Sequence, residues 1–263
     1  MADERIHAAA RGFDRGAQAY EAARPSYPAD AVACVVGRAG IGPGRAVLDL
    51  AAGTGKLTRL LVATGADVIA VEPVAGMRAQ LHAVCPDVED LDGTAEAIPV
   101  GDRSVDVVTV AQGFHWFDPG PALAEIARIL RPDGALVLLW NIADRAVAWV
   151  DEYFRIVTDV GGPIPYERFL ADVDQRALVA EAGRGAFTPL EEWSTRWVHV
   201  LDPAQLAERA ASISIVASLP DDRRAEVMRR IEELATTHPD LAGRPGVPFP
   251  YVTRVQWCRT VTR

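Results

Sequence analysis

A chain of 263 residues with 49% hydrophobic residues is long enough for one large domain with a buried core, and its formal net charge of −9 repels the phosphate backbones that a non-specific nucleic-acid binder attracts. No apolar run approaches the ~18 residues of a membrane span, and "MADERIHAAARGFDRG" mixes charges and alanines where a secretory signal places a basic end and an apolar run, so a cytoplasmic protein with no membrane partner is expected. Cys34, Cys85 and Cys258 are far apart and in no metal-ligand spacing, which reads as reduced core cysteine with no metal.

Residues 1–40 read as a helical cover: Phe13, Ala17 and Tyr20 recur at helical spacing in "FDRGAQAYEAARPSYP" before the stops at Pro25 and Pro28. From residue 45 strands and helices alternate, as a doubly wound, mostly parallel α/β sheet requires. "RAVLDL" is the first strand, and Leu57, Leu60 and Leu61 then share a helical face. "ADVIAVE" is the second strand and residues 74–84 the second helix, "DVEDLDG" a short third strand and "SVDVVTVAQ" the fourth. "PALAEIARIL" is a helix with Leu123, Ile126 and Leu130 on its apolar face, "RPDG" a turn, and "GALVLLWN" the fifth strand.

Residues 41–143 thus form the alternating core of the sheet, and 144–263 complete the same domain. Helices are predicted over 147–160 and 172–183 with a loop at "GGPIP" between them, and a strand runs from Thr195 to Leu201. Two helices broken by "SLPDD" fill 203–237, a helical insertion on the substrate side, before the closing strand "YVTRVQWCRTVTR".

The chemistry centres on "VLDLAAGTGKLT". A phosphate loop requires a glycine where Leu50 stands and a Ser or Thr where Leu57 stands, so it is excluded and Lys56, the sole lysine, reads as solvated at a helix start. A dinucleotide fingerprint fits Gly53 and Gly55 but finds Thr58 at its third glycine. Asp49 precedes the turn, where an acid repels a pyrophosphate and suits a cation. Glu72 ends the second strand, where a carboxylate accepts from both ribose hydroxyls. A ribose joined to a cationic tail describes S-adenosylmethionine.

The ordered motifs "VLDLAAGTGKLT", "VIAVEP" with Met77, "GTAEAIP" and "VDVVTVAQGFHWF" resemble the class I S-adenosylmethionine-dependent methyltransferases, particularly the small-molecule group that includes trans-aconitate methyltransferase-like proteins. The resemblance implies a Rossmann-like fold with a seven-stranded sheet. It further implies Asp49, Gly53 and Gly55 along the methionine half of the cofactor, Glu72 on the ribose, Pro73 and Met77 beside the adenine, Thr94, Ala95 and Glu96 closing its far side, and Gln112 under the methyl group. Ala51 departs from the pattern, which has a glycine there, and argues that this position needs no positive φ.

Ligands of an open α/β sheet sit beyond the carboxyl ends of the strands, so "GFHWFD" after the fourth strand faces the transferred methyl. His115 is the base candidate, with an unperturbed pKa of roughly 6.5; its alternative role is to shape the pocket. Trp116, Trp140 and Tyr20 are candidate acceptor contacts, and Arg24 is placed to neutralise a carboxylate of the cofactor or of an acidic acceptor. The expected reaction is methyl transfer to a small molecule, with oxygen as acceptor atom and nitrogen or carbon as alternatives, by a monomer or homodimer without nucleic-acid partners. The rival readings are a non-methylating protein that binds S-adenosylmethionine and a nicotinamide-dependent oxidoreductase; no Tyr-x-x-x-Lys pair supports the latter.

Overall fold

The computed structural model describes Glu21 and residues 24–261. Strands flanked by helices on both faces need apolar side chains on both, and "AVLDL" and "VDVVTVA" supply them as β1 (Ala46–Leu50) and β4 (Val105–Ala111). With β2 (Asp67–Val71), β3 (Glu89–Leu91), β5 (Leu130–Ala143), β6 (Glu191–Leu201) and β7 (Val247–Arg259) they form a seven-stranded sheet in the order β3-β2-β1-β4-β5-β7-β6. The first five strands are parallel, and β7 runs antiparallel between β5 and β6. The order reverses between β1 and β4, which opens a crevice at their carboxyl ends.

Alternation sorts the strand residues to opposite faces. Leu48, Leu50, Val108, Val110, Leu136 and Leu138 pack on one side with Leu123, Ile126 and Ile129 of α4 (Pro119–Ile129). Val47, Val107, Val137 and Leu139 pack on the other with Ala31, Val35 and Ala39 of α1 (Ala29–Ala39) and with Leu57 and Leu61 at α2 (Thr58–Val62). Within the expected 1–40 cover, α1 therefore lies on a face of the sheet, because its small residues admit close approach. The loop after β2 leads into α3 (Ala75–Val84), which seals Ala70 with Leu81 and Cys85.

The second half departs from the sequence expectation in detail. "RPDG" is a bulge within β5: Leu130 already pairs with Val105, and Ala135 next pairs with Val107. The helix expected over 172–183 is present, and a further helix precedes it beyond α5 (Ala148–Gly161): the two are α6 (Pro165–Asp172) and α7 (Gln175–Ala182). Pro165 opens α6, and the Asp174 carboxylate accepts from the amides of Arg176 and Ala177 to cap α7. The insertion holds α8 (Pro203–Ala211), short α9 (Ser214–Ala217) and α10 (Asp221–Thr237). These helices and α5 bury Phe249 and Tyr251 of β7 in a second core beyond the strand ends. β6 begins at Glu191 and β7 at Val247, each earlier than its pattern suggested.

Candidate active site

The turn after β1 is a sequence of left-handed residues: Ala51 (φ 55°), Gly53 (φ 58°) and Gly55 (φ 83°). The expectation that position 51 needs no positive φ is therefore wrong; an alanine holds the conformation that glycine adopts at less cost. Gly55 answers a packing need as well, since a Cβ there would lie 3.2 Å from Leu81 Cγ. It faces α3 and lines neither of the hollows described below.

Asp49 sits beneath this turn rather than in it. It is 1% exposed, and its two oxygens accept from the hydroxyls of Thr58 (2.7 Å) and Thr109 (2.8 Å). Burial pushes its carboxyl up to about 6, against the opposing pull of those hydroxyls. It thus ties β1 to β4 and α2, and lines neither hollow. Its expected contact with a cationic ligand becomes a supporting role, set by a short side chain fully engaged below the backbone.

Two hollows flank the turn. They share Ala51, Gly53, Ala111, Gln112 and Trp116, so they are one crevice with two arms. The first arm runs toward β2 and β3 and gathers Glu72, Pro73, Met77, Thr94, Ala95 and Glu96. The Glu72 carboxylate is 6% exposed and accepts from the amides of Gly53 (2.9 Å) and Val74 (2.9 Å), while burial raises its pKa. Each oxygen keeps a lone pair for a further donor. Apolar walls from Pro73, Val74, Met77 and Phe117 with one buried carboxylate suit a flat heterocycle joined to a diol. Glu96 turns away from such a ligand in part, its Oε1 accepting from the Asp118 amide at 2.8 Å.

The second arm runs under α8 and contains His115 and Trp116, on the 3₁₀ turn Phe114–Trp116, together with Arg24 and Lys56. Gln112 adopts φ 61°, which turns the chain sharply out of β4, and its Nε2 donates to the Asn141 carbonyl at 3.3 Å. Burial drives the His115 imidazole down to about 3, a backbone hydrogen bond at Gln112 offsetting part of the effect, and among the described residues the buried Nδ1 has no partner. The expectation of a pKa near 6.5 fails because the ring lies against Trp116 and Trp140, with centroids 4.6 and 5.9 Å away. Trp140 itself is 1% exposed and lines neither arm, so it supports the His115 ring instead of meeting an acceptor: β5 is buried on both faces there.

Lys56, read from the sequence as solvated, is half-enclosed: Nζ donates to the Glu21 carbonyl at 2.7 Å and lies 3.4 Å from its carboxylate. Glu21 also accepts from Thr54 Oγ1 (2.6 Å) and Arg59 Nη2 (2.6 Å), which fastens the segment before α1 to the glycine turn. Arg24 donates to Ser212 Oγ (3.0 Å) and to the Ser212 carbonyl (3.1 Å), so it joins the same segment to the end of α8. Tyr20 lies outside the described residues. Arg209 and Tyr251, which the sequence reading passed over, also line this arm. Arg209 was detectable: with Leu206, Ala210 and Ile213 it occupies the apolar stripe of "LAERAASI" at i, i+3, i+4 and i+7 spacing, where an unmatched arginine is unusual.

Residues 48–138 match the methyltransferase domain family. An uncharacterized methyltransferase of Mycobacterium tuberculosis is 41% identical over 241 residues, 92% of each chain. The structure of a protein described as a methyltransferase from an antibiotic biosynthesis pathway of Anabaena variabilis is similar with a TM-score of 0.63 and 25% identity, over 88% of this chain and 96% of that one. A phosphoethanolamine N-methyltransferase of Haemonchus contortus, solved with S-adenosylhomocysteine and phosphomonomethylethanolamine, shares the fold at TM-score 0.56 and 15% identity, over 95% of this chain and 58% of its own. These matches carry the class and not the narrower trans-aconitate group. The chain is a member of the class I S-adenosylmethionine-dependent methyltransferases.

Proposed function

We propose that the arm beside β2 and β3 holds S-adenosylmethionine and that the arm under α8 holds a small-molecule acceptor, methylated on oxygen. The observation that carries this is the junction of the two arms at Ala51, Gly53, Ala111, Gln112 and Trp116, which leaves a single shared window between them. The buried Glu72 carboxylate is the ribose acceptor, and Pro73, Met77, Thr94, Ala95 and Glu96 border the adenine. Gly53 and Ala51 pass the methionine half beneath the Glu21 latch, with Asp49 supporting the turn from below.

The bound cofactor supplies a methyl group already activated by a sulfonium centre. The protein's share is alignment, which is worth roughly 7–11 kcal/mol when the reacting atoms are held in line. Gln112, fixed through the Asn141 carbonyl, and Trp116 shape the window and exclude water from it. His115 stays neutral and forms part of the wall of the arm beside Trp116, positioning the acceptor without taking its proton at equilibrium. A carboxylate or an already ionised hydroxyl needs no stronger base, which favours oxygen over a protonated amine.

The test is release of S-adenosylhomocysteine from the protein incubated with S-adenosylmethionine and panels of carboxylic acids, phenols and amines. Turnover is expected with acids or phenols above the acceptor-free rate. Turnover with amines alone would overturn the oxygen assignment.

A further inference from the structure

The acceptor arm contains a cation that methyl transfer does not use. Arg209 is 2% exposed, yet among the described residues no carboxylate pairs with it. Its Nε donates to the Tyr251 hydroxyl oxygen (2.7 Å) and Nη1 to that of Tyr153 (3.0 Å). Its guanidinium lies 4.2 Å from the Phe249 ring centroid, with the Tyr153 and Phe154 rings 5.3 and 5.6 Å away. Burial holds the Tyr153 and Tyr166 phenols above their ordinary range. Glu167 lies near enough to feel Arg209 but is committed to Arg145 at 3.0 Å. An arginine this deep is ordinarily paired, because an isolated buried charge is costly and guanidinium does not shed its proton.

The surroundings repeat the same sign. Among the described residues, the arm is lined by Arg24, Lys56 and Arg209 and by no Asp or Glu, in a chain whose net charge is −9. Lys56 is matched by Glu21. Because the Tyr251 and Tyr153 oxygens accept from Arg209, their O–H protons are left to donate, and Tyr166 lines the same space. Guanidinium N–H and phenol O–H groups with no acceptor of negative charge form the complement of an anion.

We propose that Arg209, with Tyr251 and Tyr166, binds the carboxylate of an acidic acceptor as a handle remote from the transferred methyl. Tyr251 stands on β7 opposite Ala143 at the end of β5. Gln112 follows β4, two strands away, which is about 10 Å across the sheet. The substrate class is therefore an elongated carboxylic acid that gives its anionic end to Arg209 and its other end to Gln112 and His115. This rests on the reading of the same arm as the acceptor site.

The test is calorimetric binding of phenylacetate, 3-phenylpropionate and 4-phenylbutyrate, each beside its methyl ester, with and without S-adenosylhomocysteine. At least one acid is expected to bind ten times more tightly than its ester. Arg209→Gln is expected to abolish that preference, and Arg209→Lys to retain part of it with unchanged S-adenosylhomocysteine affinity. Acid and ester binding alike, no acid binding at millimolar concentration, or a preference that survives in Arg209→Gln overturns the proposal. Where Arg209→Gln does not fold, the acid-to-ester ratios of wild type and Arg209→Lys decide. The ratio reads Arg209 alone and S-adenosylhomocysteine affinity reads the other arm, so the two readings fail separately.

Discussion

The methyl group of Ala51 fills the space beside Gly113: a Cβ added at residue 113 would lie 2.9 Å from it. The contact joins the turn after β1 to the loop after β4, the two segments that border both arms of the crevice. It also explains how an alanine is kept at φ 55°, since its side chain packs in a position that the missing side chain of Gly113 leaves open.

Gly113 has φ −98°, so an alanine there meets no backbone penalty, and its cost is the clash alone. Gly113→Ala is expected to destabilise the fold by about 1–3 kcal/mol. Ala51→Gly relieves a left-handed alanine and is expected to be neutral or stabilising by up to about 1 kcal/mol. In the double variant the Gly113→Ala cost should largely vanish. Urea unfolding of the four proteins reads the coupling; additive effects would mean that the two residues do not share this space.

Asp49 sets a pH dependence of opposite sign to that of a salt-bridged acid. Its carboxyl is pushed up to about 6 in the fold from an ordinary 3.8. Between these values the folded chain holds a proton that the unfolded chain has released, so stability is lost as pH rises from about 4 to about 6. The loss is on the order of 3 kcal/mol. Asp49→Asn removes this slope, and the wild-type-minus-variant difference in unfolding free energy should fall across that window and level off above it. A difference flat from pH 4 to pH 8 would contradict the assignment of this shift to Asp49.

His115 should leave no trace in the pH profile of turnover near neutrality, because burial keeps its imidazole neutral down to about pH 3. With an acceptor in hand, kcat/KM for His115→Ala is expected to drop about tenfold through the lost wall of the arm, with the shape of the profile from pH 5 to pH 9 unchanged. A wild-type limb near pH 6.5 that disappears in His115→Ala would restore the role of general base.

The architecture was legible because strand burial is written as continuous apolar runs and the turns as glycine, proline and aspartate. The gathering of one arm was legible for the same reason: Glu72, Pro73, Thr94, Ala95, Glu96 and Gln112 each follow a strand end, Met77 stands on the helix after β2, and the sheet gathers strand ends at one edge. What failed depended on depth and on partners distant in the chain. Trp140 ends an apolar run, and nothing local says that Phe169 and His115 cover it. Lys56 is drawn in by Glu21, 35 residues earlier, and Asp49 is occupied by Thr109, 60 residues later. His115 lost its basicity to aromatic neighbours from three separate elements, whose convergence periodicity does not encode.

The central claim is that buried Glu72 recognises the ribose of S-adenosylmethionine, and calorimetry of wild type and Glu72→Gln with S-adenosylmethionine and S-adenosylhomocysteine tests it most directly. Both ligands should bind wild type at tens of micromolar or tighter. Glu72→Gln, which keeps one oxygen for the Gly53 amide but replaces the other with a donor, should bind at least tenfold more weakly, since losing a charge-assisted hydrogen bond costs about 1.5–3 kcal/mol. No binding by wild type, or equal affinity in a Glu72→Gln protein with an unchanged melting temperature, would contradict the account.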